Sequence, residues 1–401
     1  MPRQQILFVD DEPMLLQGLQ RMLRPYRSEW DMAFVDGGEQ ALAKLAEHTF
    51  DVIVTDMRMP GMNGADLLKE VMRRHPAMVR IVLSGHADES LVSQCVGVAH
   101  QYISKPCDPE QLKALIQNAC VLSGALVDEE VRKVIGAIDR LPSVPSLYLE
   151  LKAALSMEDV DAHELGSIIG KDIGMTAKIL KLVNSSFFGL RRVVSSPHEA
   201  VTYLGIDTIK TLVLTNGIFE QSKPFKTRLL TLPDLWHHSM TVAAGAKTIA
   251  QAEGLDLAHM EEAFVGGVLH DVGVLILASN FPDLYDQVAG LVVSERISLS
   301  TAEKELFGVT HAEVGAYLMG LWGLPAPILN IVSLHHRARV QDEGRMTPLI
   351  SVHAADVICG GHEQDSVFGT GRLDQMALER AGVWERRDVW AGLVAQGEDH
   401  A

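Results

Sequence analysis

Through the first 120 residues, short apolar runs alternate with stretches whose apolar positions recur at helical spacing. Ile6-Leu7-Phe8-Val9, Met32 to Val35, Val52 to Thr55, Arg80 to Leu83 and Gln101 to Ile103 read as strands. Met14 to Arg24, Glu39 to Glu47, Ala65 to Arg74, Ser90 to Val96 and the stretch from Pro109 onward read as helices. Such alternation predicts an α/β unit: a doubly wound, five-stranded parallel sheet of flavodoxin-like type, with helices on both faces. Asp108 to Arg140 contains one proline, Pro109, and reads as helical, with Leu112, Leu115, Ala119, Leu122 and Leu126 on one stripe. That stripe packs on the chain's own domains or forms a short dimer seam. Leu141-Pro142-Ser143-Val144-Pro145 ends it.

After Pro145 the pattern changes to an all-helical one. Leu147 to Leu155, Leu165 to Ile169 and Ile173 to Val183 each carry a one-sided apolar face, and Gly and Pro punctuate the remaining helical stretches. Leu373 to Ala381 and Val389 to Val394 are predicted short helices with no assigned role. The expected division is 1–120, a connector at 121–140, a helical domain at 141–359 and a tail at 360–401.

Length and composition agree with this division. At roughly 150 residues per domain, 401 residues imply two or three domains, and 47% hydrophobic content is enough for real cores. The net charge of −17 argues against nucleic-acid binding, since no run of five Lys or Arg offsets it. None of Cys95, Cys107, Cys120 and Cys359 forms a C-x-x-C pair, as expected in a reducing, cytoplasmic setting. The apolar stretch Ala263 to Ala278 is broken by His270 and Asp271, so no membrane span is expected.

In parallel sheets, ligands bind beyond the carboxyl ends of the strands. Asp10 and Asp11 follow the first predicted strand, Asp56 the third, Ser84 the fourth and Lys105 the fifth. Three converging carboxylates call for a hard cation with oxygen ligands, and Mg²⁺ fits. Neutralised by it, one carboxylate can act as a nucleophile toward a phosphoryl group. Lys105 can contact the acyl phosphate formed, and the Ser84 hydroxyl can report it.

In the second half, His238 lies in a long helix and His270-Asp271 interrupts an apolar one. His311 opens a helix, His335-His336 closes another, and Asp356 sits in a further one. A charged Asp within GGVLHDVGVLIL costs several kcal/mol unless it is paired or metal-bound. Imidazoles with carboxylates suit Fe, Mn, Zn or a similar divalent ion, and such a site can support phosphoester hydrolysis.

Residues 4–120 carry VDDEP, VTDMRMPGMNG, LSG and YISKP in order, and this segment resembles the receiver domain of two-component response regulators. The resemblance implies that Asp56 is the phosphoacceptor, with a sensor histidine kinase as donor. It implies Mg²⁺ held by Asp10, Asp11, Asp56 and the backbone carbonyl of Arg58. Ser84 and Tyr102 match the switch pair, in which the ring turns inward when the hydroxyl moves. Leu141 to Cys359 resembles the HDOD domain through LPSVPSL, KDIGMTAKILKLVNSSFFGL, EAVTYLG, LWHHS, FVGGVLHDVG, THAEVGAYLMGLWGLP and HH. That family implies a regulatory, non-catalytic output, which is expected to act by binding an unknown downstream protein or by homodimerising. His238, His270, Asp271, His311, His335, His336 and Asp356 fall where the related metal-binding HD enzymes carry ligands. Two departures count against catalysis: Val274 stands where those enzymes carry Lys, and Arg337-Ala338-Arg339 replaces a G-Y-P segment. The expected function is therefore a phosphorelay switch with a non-catalytic output. A receiver-gated, metal-dependent phosphohydrolase of the HD type is the alternative.

Overall fold

The computed structural model describes residues 3–84, 98–105, 110, 112–113, 115–117, 135, 138, 145–155, 157, 160–184, 192–210, 213, 227, 230–338, 344–360, 368 and 372–398. The predicted helix Ser90 to Val96 and nearly all of the connector lie outside these residues, as do Cys95, Cys107 and Cys120 and the side chain of Ser84. The described residues form two compact units. One comprises those of 1–139, 181–192 and 320–323, and the other comprises the rest.

In the first unit, β1 (Gln4–Val9), β2 (Trp30–Val35), β3 (Val52–Asp56), β4 (Val79–Ser84) and β5 (Gln101–Ser104) form one five-stranded sheet in the order β2-β1-β3-β4-β5. Every pairing is parallel. Ile6, Leu7, Phe8, Val52, Ile53 and Val54 are all fully buried, because helices cover both faces of the central strands. This is why β1 and β3 read as unbroken apolar runs rather than as alternating ones. Among the helices are Pro13–Met22, Gly38–Glu47 and Gly64–Arg74. The first stops two residues short of its predicted end and passes into a 3-10 turn, Arg24–Ser28. Pro25 explains this, since it has no N–H to continue the α-helical ladder. The third opens on Asn63, whose side chain accepts the Asp66 N–H at 2.9 Å.

Strand order fixes where chemistry can occur. β1 has β2 on one side and β3 on the other, so the chain winds away from β1 in two directions. The crevice at this switch point lies beyond the ends of β1 and β3, in front of Asp10 and Asp56.

The second unit is helical. The helix Leu232–Ala252 is started by a capping box between Thr231 and Asp234. Leu257–Leu269 and Val272–Asn280 follow, separated by His270 and Asp271. Pro282–Glu295, Leu299–Phe307, His311–Leu321, Ala326–Leu334 and Pro348–Gly360 complete the set around the predicted histidines. The stretch Leu257–Asn280 is long and apolar enough to cross a membrane, and 83% of its most apolar window is buried inside the unit. In the tail, Gln375–Arg380 and Arg387–Glu398 are helical. Trp390 is fully buried in a cluster with Val242, Ile249 and Val352, and its indole N–H donates to Glu253 Oε1 at 2.8 Å. The tail is thus part of this core.

Candidate functional sites

At the carboxyl edge of the sheet, Asp10 follows β1 and is 1% exposed, while Asp56 ends β3 at 7%. The Lys105 ammonium, just beyond β5, donates to Asp10 Oδ2 at 2.7 Å and also contacts Asp56 Oδ1. Residues far apart in sequence therefore meet at the switch point. Asp56 Oδ2 accepts the Arg58 N–H at 2.7 Å, and Asp10 Oδ1 accepts the Glu12 N–H at 2.9 Å. Asp11 lies beside them, half-buried. Burial raises the Asp56 carboxyl above the ordinary carboxylate range, against the opposing pull of Lys105 and with a further push from Asp10. Burial would lower the Lys105 ammonium, but Asp10 and Asp56 outweigh it and hold it above its ordinary value. Gly64 keeps the edge open: a Cβ there would lie 2.2 Å from the Asp56 carbonyl oxygen. Tyr102 is 2% exposed and packs into the core of this unit with Val82 and Ala99. The Ser84 hydroxyl lies outside the described residues.

In the second unit, all seven predicted histidines and aspartates converge. Asp271 sits at their centre with its two oxygens facing different partners. Oδ1 lies 3.3 Å from His311 Nε2 and 3.7 Å from His335 Nε2. Oδ2 lies 3.2 Å from His270 Nε2 and 3.7 Å from His238 Nε2. Asp356 Oδ1 approaches His238 at 3.3 Å and His270 at 3.8 Å, and its Oδ2 lies 3.5 Å from His336 Nδ1. His311 Nε2 is 3.3 Å from His335 Nε2 and 2.9 Å from His336 Nε2. The neighbouring His237 is exposed and outside the cluster.

The donor atoms fall into two groups that share Asp271: one with His311, His335 and His336, the other with His238 and His270. Ligand atoms about 2.0–2.1 Å from a tetrahedral ion stand about 3.3 Å apart, close to the shorter spacings here. Second partners fix the rings so that Nε2 faces inward: His270 Nδ1 donates to the Gly267 carbonyl at 2.6 Å and His335 Nδ1 to that of Val332 at 3.0 Å. His238 Nε2 and His270 Nε2 are buried and make no hydrogen bond among the described residues. Buried imidazole nitrogens without a hydrogen bond, aimed at a shared carboxylate, are what a metal centre requires, so the residues present fit divalent ions.

The electrostatics show how crowded the cluster is. Burial would lower His270 and His311, but Asp271 beside the first and Glu303 beside the second outweigh it and push each up to about 9. Burial and the repulsion of neighbouring imidazoles hold His335 well below its ordinary value. His336, a third of whose side chain is exposed on the cavity wall, is also lowered, by desolvation there and by the neighbouring His311. Burial alone would raise Asp271, but His270, His311 and His238 hold it well below the usual carboxylate range.

Four residues at this site were not foreseen from the sequence. Glu303, fully buried, accepts the His311 Nδ1–H at 2.6 Å and its backbone N–H at 2.7 Å, and also accepts the Tyr285 hydroxyl at 2.7 Å. His353 Nδ1 donates to the His335 carbonyl at 2.6 Å, and its Nε2 accepts the Asp374 N–H at 2.8 Å. The Phe368 ring stacks on His238 at 4.1 Å between centroids. Arg372 lines the cavity that opens over the cluster, a space of about 690 Å³ with Asp271, His311, His336 and Asp356 in its wall. Glu303 had a usable signal, since it lies on the same helical face as Leu299 and Phe307.

The chain thus combines an α/β module with acidic strand ends beside a lysine and a helical module with a histidine–aspartate cluster. The response regulator receiver domain matches residues 6–117 and the HDOD domain matches residues 141–338. The chain belongs to the response regulators, with a receiver domain followed by an HDOD domain. Among curated relatives, an uncharacterized protein of Treponema pallidum is 29% identical over 54% of this chain and 41% of its own length. The DNA-binding transcriptional regulator NtrC of Salmonella typhimurium is 35% identical over 47% of this chain and 42% of its own. The chain spans about two fifths of the length of these relatives. Among solved structures, the MmoQ response regulator of Methylococcus capsulatus is 24% identical with a TM-score of 0.48, covering 64% of this chain and 98% of that one. An HDOD domain protein of Geobacter sulfurreducens is 29% identical with a TM-score of 0.39, covering 72% and 95%.

Proposed function

We propose that this chain is a phosphorelay switch in which Asp56 accepts a phosphoryl group from a sensor histidine kinase in the cytoplasm. The observation that carries this reading is the meeting of Asp10, Asp56 and Lys105 at the switch point of the sheet. Asp10, Asp11, Asp56 and the backbone carbonyl of Arg58 would hold Mg²⁺, which supplies charge neutralisation as the phosphoryl group arrives. Lys105 is positioned to contact the transferred group, since it already reaches Asp56. Ser84 would report the new charge, with Tyr102 as its aromatic partner. The HDOD domain then acts through protein–protein contacts, with a downstream protein or a second copy of the chain. Incubation with a small phosphodonor and Mg²⁺ tests this: phosphate labile to alkali and hydroxylamine should appear on the wild-type chain and be absent from Asp56→Ala. Equal labelling of the two would overturn it.

A second reading, a receiver-gated metal phosphohydrolase of the HD type, is supported by the two donor groups sharing Asp271. His238, His270, Asp271, His311, His335, His336 and Asp356 would hold Fe, Mn, Zn or similar ions, which supply Lewis acidity for phosphoester cleavage. Val274 in place of Lys and the missing G-Y-P segment weigh toward a regulatory role for the centre. Metal analysis of the purified protein, paired with hydrolysis assays on nucleotides and model phosphodiesters, separates the two readings. No metal beyond the receiver would end the second.

A further inference from the structure

The wall of the cavity over the histidine–aspartate cluster carries three cationic side chains: Lys304, Arg337 and Arg372. Lys304 is already paired with Glu313 at 3.2 Å. Arg337 and Arg372 make no ion pair within the described residues, although the chain holds 52 Asp and Glu against 35 Lys and Arg. The rest of the wall offers hydroxyls, among them Ser298, Ser300 and Ser333, and the Phe368 side chain. Arg337 directly follows the two clustered histidines, and Arg372 comes from the tail, beyond the residues matched by the HDOD family. Two residues after Arg372, the Asp374 N–H donates to His353, which in turn holds the His335 carbonyl. The tail is therefore anchored to the cluster next to the point where it contributes its arginine.

We propose that this cavity binds a phosphate ester, with Arg337 and Arg372 gripping the phosphoryl group in front of the cluster, and that the C-terminal segment is thereby part of the site. This rests on the metal phosphohydrolase reading above, which supplies the phosphoester class, and adds the residues that grip the ligand and the tail's part in the site. Guanidinium groups suit this task because their planar fork pairs with two phosphoryl oxygens at once. The volume of about 690 Å³ lies within the range of small-molecule pockets, so an organic group has room beside the phosphate. Cations on the wall also balance the carboxylates of Asp271 and Asp356, which would otherwise repel such an anion.

The test uses the full chain in an Asp10→Asn, Asp11→Asn and Asp56→Asn background, so that the receiver loses the three carboxylates proposed to hold a metal and the side chain proposed to take up phosphate. Mn²⁺ content is measured first, and the affinities for AMP and for inorganic phosphate are then measured by calorimetry. We expect Arg372→Gln and Arg337→Gln each to weaken AMP binding by about tenfold, with Mn²⁺ content and circular dichroism unchanged. Arg372→Lys should recover part of the loss. Retained Mn²⁺ with no AMP or phosphate binding, or with an affinity indifferent to both arginines, would overturn this inference alone. Absence of bound Mn²⁺ would overturn the metal-centre reading and this inference with it.

Discussion

Replacing Glu303 by Gln removes a negative charge from a fully buried position and leaves the side chain's shape almost unchanged. One carboxylate oxygen accepts both the backbone N–H and the Nδ1–H of His311, at 2.7 and 2.6 Å, and the other accepts the Tyr285 hydroxyl at 2.7 Å. In the Gln variant the amide oxygen can keep both histidine bonds. Its NH₂ group then faces the Tyr285 oxygen, and the hydroxyl proton loses its acceptor. The variant therefore turns the charge-assisted bond from Tyr285 into a neutral one of reversed direction, leaves the Tyr285 hydroxyl proton without its acceptor, and removes the charge that holds His311 up to about 9. Hydrogen bonds to ionised groups are worth about 1.5–3 kcal/mol, and removing one partner of a buried ion pair costs about 3–5 kcal/mol. We expect Glu303→Gln to destabilise the metal-free domain by about 2–3 kcal/mol, and Glu303→Ala by about 3–5 kcal/mol. Urea unfolding followed by tryptophan fluorescence reads this directly, since four of the five tryptophans lie after residue 140. Because Glu303 holds a proposed metal ligand, Gln should also weaken Mn²⁺ affinity by about 10–100-fold. A Gln variant with wild-type urea midpoint and wild-type metal affinity would refute the reasoning. Equal losses for Gln and Ala would show that shape, not charge, holds His311.

Gly273→Ala places a Cβ 1.9 Å from the His311 carbonyl oxygen, so the backbone that positions His311 must move; a loss of about 1–3 kcal/mol and reduced metal content are expected by unfolding and metal analysis. Trp390→Ala empties a fully buried position in the tail and removes its bond to Glu253, and should cost about 3–5 kcal/mol in the same urea assay. His198 is held below its ordinary value near 6.5, mainly by burial, with His163 and Lys247 adding to it and Glu261 opposing. Below pH 6.5 the unfolded chain then binds more protons than the folded one, so stability falls as pH falls. His198→Asn should flatten that acid slope, as measured by urea midpoints across the range.

The receiver could be read from the sequence because its central strands are buried on both faces, which leaves continuous apolar runs such as Ile6 to Val9 with a carboxylate at the end. The histidine–aspartate set was visible for a related reason: His270-Asp271 stands out inside an otherwise apolar stretch. Glu303 was not singled out because its neighbours Lys304 and Glu305 make it look like one more charge on a solvated face. The helix Leu299–Phe307 turns that one carboxylate inward onto His311. Arg372, Phe368 and His353 were missed because tertiary packing brings them to the cluster, and no local spacing signals it. The early end of the first helix follows from Pro25, a local signal present in the sequence.

The central claim is that Asp56 becomes an acyl phosphate at the edge of the sheet, and borohydride trapping tests it most directly. Borohydride reduces an aspartyl phosphate to homoserine at the residue that carried it. After treatment with a phosphodonor and Mg²⁺, peptide mass spectrometry should find homoserine at position 56, and Lys105→Ala should lower its yield. Homoserine at another aspartate, or none while the chain still carries hydroxylamine-labile phosphate, would contradict the account.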